Sequence, residues 1–281
     1  MIRKNKIIDL ETRLIFPSAR NLYYDLKKEP EVKKIYEHKK IKTSLRQANI
    51  KNLLKIKKQF KLDKIFISGL AWKKNDNLKK SNEYLINCTS NYPNLVMAFL
   101  NVDINGKNYD YSLKLIREQK SKFIKGYEIH NSSFVNLNER NKKKISSLLH
   151  LIKKKGKFIR LIGRHPHQTN INLSKIYINL VKDNNDKKFI ITAMGGGLTN
   201  YMSLKLFKKI FKKTLFTTSV SATSEFIENI DDYLKDKVIF GSDYPFNHFK
   251  NYNQFLKLIE KLDITKEKKN MIMYNNAKKK L

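Results

Sequence analysis

One cysteine, Cys88, stands in 281 residues. A single thiol excludes a disulfide framework and a cysteine-built zinc site, and it sets a reducing cytoplasm as the expected compartment. No apolar run reaches the ~18 residues of a membrane-spanning helix. The start, MIRKNKIIDLETRL, carries charge, but Asp9 and Glu11 break its short apolar run, so no signal peptide is expected. No Pro/Ser-rich linker, fixed-period repeat or low-complexity tail beyond KKKL divides the chain, and one domain over 1–281 is the economical reading. Acidic residues are scarce, 25 against 59 basic ones, which leaves a formal charge of +34.

Such a charge ordinarily points to nucleic acid or an anionic surface. Arginine is scarce too: 8 of the 59 cations, the other 51 being lysine. Base and phosphate readers recruit arginine for its planar fork of donors. Lysine, asparagine, isoleucine, tyrosine and phenylalanine share A/T-rich codons, so codon bias suffices, and the lysines are read as solvated helix faces. The expectation is no nucleic acid and no membrane, with a nucleic-acid binder as a distant third reading and a homo-oligomer left open.

Short apolar runs alternate with longer amphipathic ones. Strands are expected at 6–9, 64–68, 95–102, 122–129, 157–162, 188–193, 215–219 and 238–242, and helices at 44–60, 139–155, 198–213 and 222–236, among others. Nearly continuous Ile, Val, Phe and Leu in the strands suits a parallel sheet buried on both faces. Eight such strands alternating with helices give the count and length of an α/β (β/α)8 TIM barrel. A doubly wound sheet would carry a glycine-rich turn after its first strand, and residues 9–20 contain no glycine. A barrel places its site at the C-terminal strand ends: Asp9, Glu11 and Arg13; Ser68; Asn101 and Asp103; Glu128 and His130; Arg160, Arg164 and His165; 193–197; Thr218 and Ser219; and Asp243.

Several of these ends together resemble the amidohydrolase-related family of metal-dependent TIM-barrel hydrolases. IIDLETRL resembles its opening IID-x-H-x-H-L, FIKGYEIH its fourth strand, KFIITAMGGG its sixth-strand H-x-G-G, and YNNAKKKL its ending. VIFGSDYPF follows the eighth-strand F-G-S-D-x-P-F almost letter for letter. The resemblance implies a divalent metal held by two histidines after strand one, one after strand five, one after strand six and the strand-eight aspartate. Here those positions read Glu11 and Arg13, a residue near Leu161, Ala193 and Asp243, so only the last keeps its ligand.

Loss of the imidazoles predicts a degenerate metal site and no cofactor. In the favoured reading the protein is a hydrolase of a small anionic lactone, amide or ester that carries a carboxylate or phosphate. Lactonase or decarboxylase-like chemistry also falls within the resemblance. Asp243 would be general base, His130 a second acid/base, and Glu11, Arg13, Glu128 and Arg164 would bind substrate. One alternative is a divalent metal on Glu11, Glu128, His130 and Asp243. Another is a pseudoenzyme that binds a ligand without turnover. Blander readings stand beside these. Asp243 could cap a turn, Glu11 and Arg13 could be a structural ion pair, and His165 and His167 could be an exposed pair. Cys88 is expected to be inert, and GGG at 195–197 to be a tight turn. Strand alternation leaves the facing of Arg160 open, and anchoring on Gly163 would turn it away from the mouth.

Overall fold

In a computed structural model of the chain, the structure describes residues 6–19, 29, 32, 46–134, 138–163, 171–195, 198, 204–219, 228, 234–246 and 252–281. Eight parallel strands follow one another around a single sheet: β1 (Ile7–Arg13), β2 (Leu62–Ser68), β3 (Val96–Val102), β4 (Ile124–Ile129), β5 (Phe158–Leu161), β6 (Phe189–Ile191), β7 (Thr214–Thr217) and β8 (Val238–Ile239). Each lies on or beside a stretch expected from its apolar run. Bonds from Leu10 N to Phe240 O (2.9 Å), Asp243 N to Glu11 O (2.7 Å) and Arg13 N to Tyr244 O (2.8 Å) span the seam between β8 and β1. This is the (β/α)8 barrel, and it brings both ends of the chain to one site.

The helices are amphipathic and pack on the outside. They include α1 (Ile50–Gln59), α2 (Asn75–Asn91), α3 (Gly106–Glu118), α4 (Glu139–Lys154), α5 (Ile171–Lys182), α6 (Lys205–Ile210) and α7 (Tyr252–Lys261). Asn49 and Asn138 cap α1 and α4 by accepting from the backbone of Asn52 and Asn141, the side-chain role that makes Asn a frequent helix start. α1 is shorter than the expected 44–60, and α6 covers 205–210 of the expected 198–213, with a turn at 211–213 and residues 199–203 outside the described ones. The expected helix at 222–236 lies almost wholly outside the described residues. Cys88 is buried in α2 against the outer core.

Strand alternation divides the apolar residues into two layers. Ile65, Ile67, Ala98, Leu100, Tyr127, Ile129, Ile159 and Leu161 face the helices. Ile8, Leu10, Phe66, Met97, Phe99, Phe158, Ile190, Leu215 and Ile239 fill the barrel floor. This parity fixes what stands above the floor on each strand, and it overturns the facing that Gly163 suggested for β5. Leu161 belongs to the outer core, and Arg160 points inward, two residues beyond Phe158.

β1 carries an irregularity that matters for the site. Asp9 pairs with Ile65 and Thr12 with Ile67, so three steps on β1 match two on β2. The extra residue is a bulge, a device that re-aims side chains. Without it, Ile8 and Leu10 inward would put Glu11 and Arg13 outward. With it, both stand inside the barrel above Leu10.

Candidate functional site

Arg13 is the hub. Its Nε donates to Asp243 Oδ1 (2.9 Å) and its Nη2 to Glu11 Oε1 (3.1 Å). Its Nη1 donates to Glu128 Oε1 (2.7 Å), Ser68 Oγ (2.9 Å) and the Gly69 carbonyl (3.1 Å). Five N–H groups on a planar fork allow one cation to gather three carboxylates from β1, β4 and the end of β8. Among the described residues, Nη2 makes one of these bonds, to Glu11.

Behind this hub lies a second guanidinium. Arg160 is fully buried; its Nε donates to Glu128 Oε2 (2.7 Å), its Nη2 to the same oxygen, and its Nη1 to the Leu10 carbonyl (3.1 Å). Its guanidinium lies 4.4 Å from the centroid of the Phe99 ring, in cation–π range. Glu128 therefore bridges two arginines, one on each carboxylate oxygen, and Asn101 Nδ2 adds a donor at 3.0 Å. Thr217 Oγ donates to Glu11 Oε2 at 2.7 Å. Sequence reasoning did not select Thr217; its inward alternation with Leu215 was the available signal. Gly241 completes the fit, because a Cβ there would stand 2.9 Å from Glu11 Cβ and 3.0 Å from Thr217 Cβ. The glycine of the strand-eight motif is thus required by close approach to β1 and β7.

Burial sets the titration of these groups. Burial alone would raise Glu128, but Arg13 and Arg160 outweigh it and hold its carboxyl below the ordinary value. Burial raises Asp243, with Glu11 and Glu128 adding repulsion, and Arg13 opposes only in part; the result is about 7. Asp243 is also the most open carboxylate of the three, with 16% of its side chain exposed against 2% for Glu11 and 1% for Glu128. Its backbone sits at φ 51°, a left-handed conformation that few non-glycine residues adopt. Its side chain is spent on Arg13 rather than on capping the turn. Burial likewise raises Asp9 to about 6, although Ser242 N, Glu11 N and the Tyr252 hydroxyl all donate to it. Asp9 faces outward to α7, so it props the seam and stays outside the hub.

The remaining candidates are placed differently. His130 ends β4, with its Nδ1 2.9 Å from Ser132 Oγ; no described bond links it to Arg13. It lines a cavity of about 10 Å³ with Trp72, Lys73, Asn101, Asp103 and Ser133, a volume on the scale of one water. Arg164, His165 and His167 lie outside the described residues, as do Gly196 and Gly197. Ala193, Met194 and Gly195 have φ of 53°, 48° and 71°, and the Ala193 amide donates to Ser219 Oγ (3.0 Å). A tight left-handed turn therefore stands where the resemblance implies a ligand histidine.

The donor set does not fit a divalent metal. The guanidinium occupies the space between Glu11, Glu128 and Asp243, and each carboxylate already accepts from it. Among the described residues no group of three or more His, Cys, Asp or Glu is arranged to hold a metal ion.

A parallel eight-stranded barrel with polar strand ends at one mouth defines a TIM barrel, and the GSDYPF turn that closes it resembles the eighth-strand turn of the amidohydrolase-related family. The Amidohydrolase family model matches residues 192–281. The match covers about a third of the chain, and over those residues the chain is similar to that family. No curated protein matches the sequence. Among solved structures, 5-carboxyvanillate decarboxylase from Sphingomonas paucimobilis superimposes with a TM-score of 0.77 at 12% identity over 99% of each chain. A 2,6-dihydroxybenzoate decarboxylase gives 0.68 at 12% over 98% of each. The 4-oxalomesaconate hydratase of Rhodopseudomonas palustris gives 0.57 at 14% over 97% of this chain and 94% of that one. At such identities the likeness is one of fold. No helix among the described residues is long and apolar enough to cross a membrane.

Arg160→Met tests the inner half of the network. It would strip Glu128 Oε2 of its guanidinium while keeping the volume. Breaking a buried pair costs about 3–5 kcal/mol, so urea unfolding should show a loss of that order. A loss below about 1 kcal/mol would mean that Glu128 needs only Arg13 and Asn101.

Proposed function

We propose that the chain is an amidohydrolase-like hydrolase of a small carboxylate- or phosphate-bearing lactone, amide or ester, working without the family's metal. The observation that carries this is the pairing at the mouth of one donor and one base. Among the described residues Arg13 Nη2 donates to Glu11 alone, which leaves its second N–H for a substrate, and burial raises the partly open Asp243 carboxyl to about 7. Asp243 takes a proton from water, whose oxygen attacks the substrate carbonyl. Arg13 donates to the oxyanion as it forms, supplying charge stabilisation from a pre-organised cation. Collapse breaks the bond to the leaving group, which takes the proton back from Asp243. Glu11 and Glu128 hold the guanidinium plane. Arg164 and His130 complete the reading as substrate anchor and second acid/base. The decarboxylases among the structural relatives are named for carboxylated substrates, which agrees with an anionic ligand.

A second reading rests on a different observation. Described residues engage four of the five Arg13 N–H groups, and the cavity that they line beside the hub is water-sized. A barrel so filled could bind a ligand without turning it over. The deciding experiment is a screen of small carboxylated lactones and amides in EDTA, with elemental analysis of protein purified without metal resin. Turnover in EDTA supports the hydrolase. Turnover only on adding a divalent metal overturns the metal-free chemistry, and binding without turnover favours the second reading.

A further inference from the structure

The lysines that flank the strands are polarised along the barrel axis. Strands β1, β2, β4, β5, β6, β7 and β8 open with Lys6, Lys64, Lys125, Lys157, Lys188, Lys213 and Lys237, each directly before the strand or within its first three residues. No lysine stands within three residues after the end of any strand. Parallel strands put all their starts at one end of the barrel, opposite the mouth. Codon bias acts along the whole sequence and does not account for that asymmetry.

The lysines at this end are neutralised only in part: Asp186 pairs with Lys153 and with Lys187 (3.4 Å), and Asp236 acts on Lys237, while others face backbone oxygens. Lys157 Nζ donates to the carbonyls of Ile124 (2.5 Å) and Ser121 (3.3 Å), and Lys125 Nζ to the backbone oxygen of Leu281 (3.2 Å). The Ile124 and Ser121 carbonyls satisfy Lys157 without cancelling its charge. Burial, then Lys64, lowers Lys125; burial, then Lys125 and Lys155, lowers Lys157. Lysines in the last turns of α1, α4 and α6 complement the helix dipoles and add to the same end. That helical role does not explain cations seated on the strands, where they repel one another.

We propose that the N-terminal end of the barrel docks on an anionic lipid surface, with the mouth turned to the water. The cations form a ring around a barrel end rather than a groove that could track a nucleic-acid strand. None of the strand-opening cations is an arginine, and Arg117 in the last turn of α3 offers one fork where a base-reading surface needs several. Nearby aromatic faces are already covered: Lys122 stands over Phe123, Lys188 over Phe158 and Lys278 over Tyr274, at 5.3, 5.6 and 5.4 Å. They are not free to stack on bases. Docking by charge alone is peripheral, reversible and sensitive to salt.

The test is co-sedimentation of the full chain with phosphatidylcholine vesicles, with and without about one-third phosphatidylserine, at physiological salt. One variant combines Lys6→Glu, Lys188→Glu, Lys213→Glu and Lys278→Glu. A second makes the same charge change in the first two turns of the outer helices, near the mouth: Lys51→Glu, Lys107→Glu, Lys143→Glu and Lys205→Glu. All eight side chains are exposed, so both variants should melt like the parent. Anionic vesicles should bind the parent, and the first variant should lose about tenfold or more while the second loses under about threefold. Equal losses, no binding to anionic vesicles, or stronger dependence of single-stranded RNA binding on the first set would each overturn the proposal.

Discussion

Replacing Arg13 with methionine should cost about 3–5 kcal/mol of stability, a large part of the ~5–15 kcal/mol available to a folded domain. The expected loss comes less from the missing bonds than from what stays behind. Glu11, Glu128 and Asp243 would share one buried space without their common cation. Desolvated like charges take up protons in that situation. The loss should therefore be larger at pH 8 than at pH 5, where protonation relieves the repulsion. Urea unfolding at both pH values checks this. An equal loss at the two would mean that the fork acts through packing rather than charge. Arg13→Lys should recover only part of the stability, since one ammonium cannot reach the same acceptors in a plane.

Replacing Asp243 with asparagine should lower turnover by about 10²–10⁴-fold, the range associated with a lost general base, while the barrel stays folded. In the parent, kcat should rise with pH through about 7 as the carboxyl ionises. The stability effect has the opposite sign. A carboxyl raised from near 4 to about 7 favours the folded state fully below pH ~4, where both states hold the proton, and that contribution is lost as pH climbs to ~7. Asp9, raised to about 6, adds a smaller loss of the same sign between pH ~4 and 6. Glu128, held low by two arginines, works the other way. Asp243→Asn should flatten the parent's decline between pH 4 and 7, read by thermal melts across that range. Unchanged turnover in the variant would remove Asp243 from the chemistry.

Much of the architecture was legible from the chain alone, for local reasons. Buried parallel strands need unbroken Ile, Val, Phe and Leu, and surface helices need three- and four-residue spacing. Both patterns survive in KIFIS and in ERNKKKISSLLHLIKKK. The strand-eight stretch VIFGSDYPF was legible as well, and the structure supplies its physical content: a glycine pressed against Glu11 and Thr217, and an aspartate in a left-handed turn. The sequence also determined which ligand types are missing, since Glu11, Arg13 and Ala193 cannot supply imidazole nitrogens.

Only the tertiary structure decided how these residues meet. A period of two gives relative parity along a strand, but the absolute facing depends on register. A one-residue slip reverses it, and the bulge in β1 is such a slip, turning Glu11 and Arg13 inward together. For the same reason Gly163 misplaced Arg160, whose inward facing is set by Phe158 on the barrel floor. The bridge from Arg13 through Glu128 to Arg160 joins residues 115 and 32 positions apart, a distance over which no local pattern carries information. The lysines tell the same story. Along the chain they look evenly spread, and only the parallel arrangement of strands gathers the strand-opening ones at one end of the barrel.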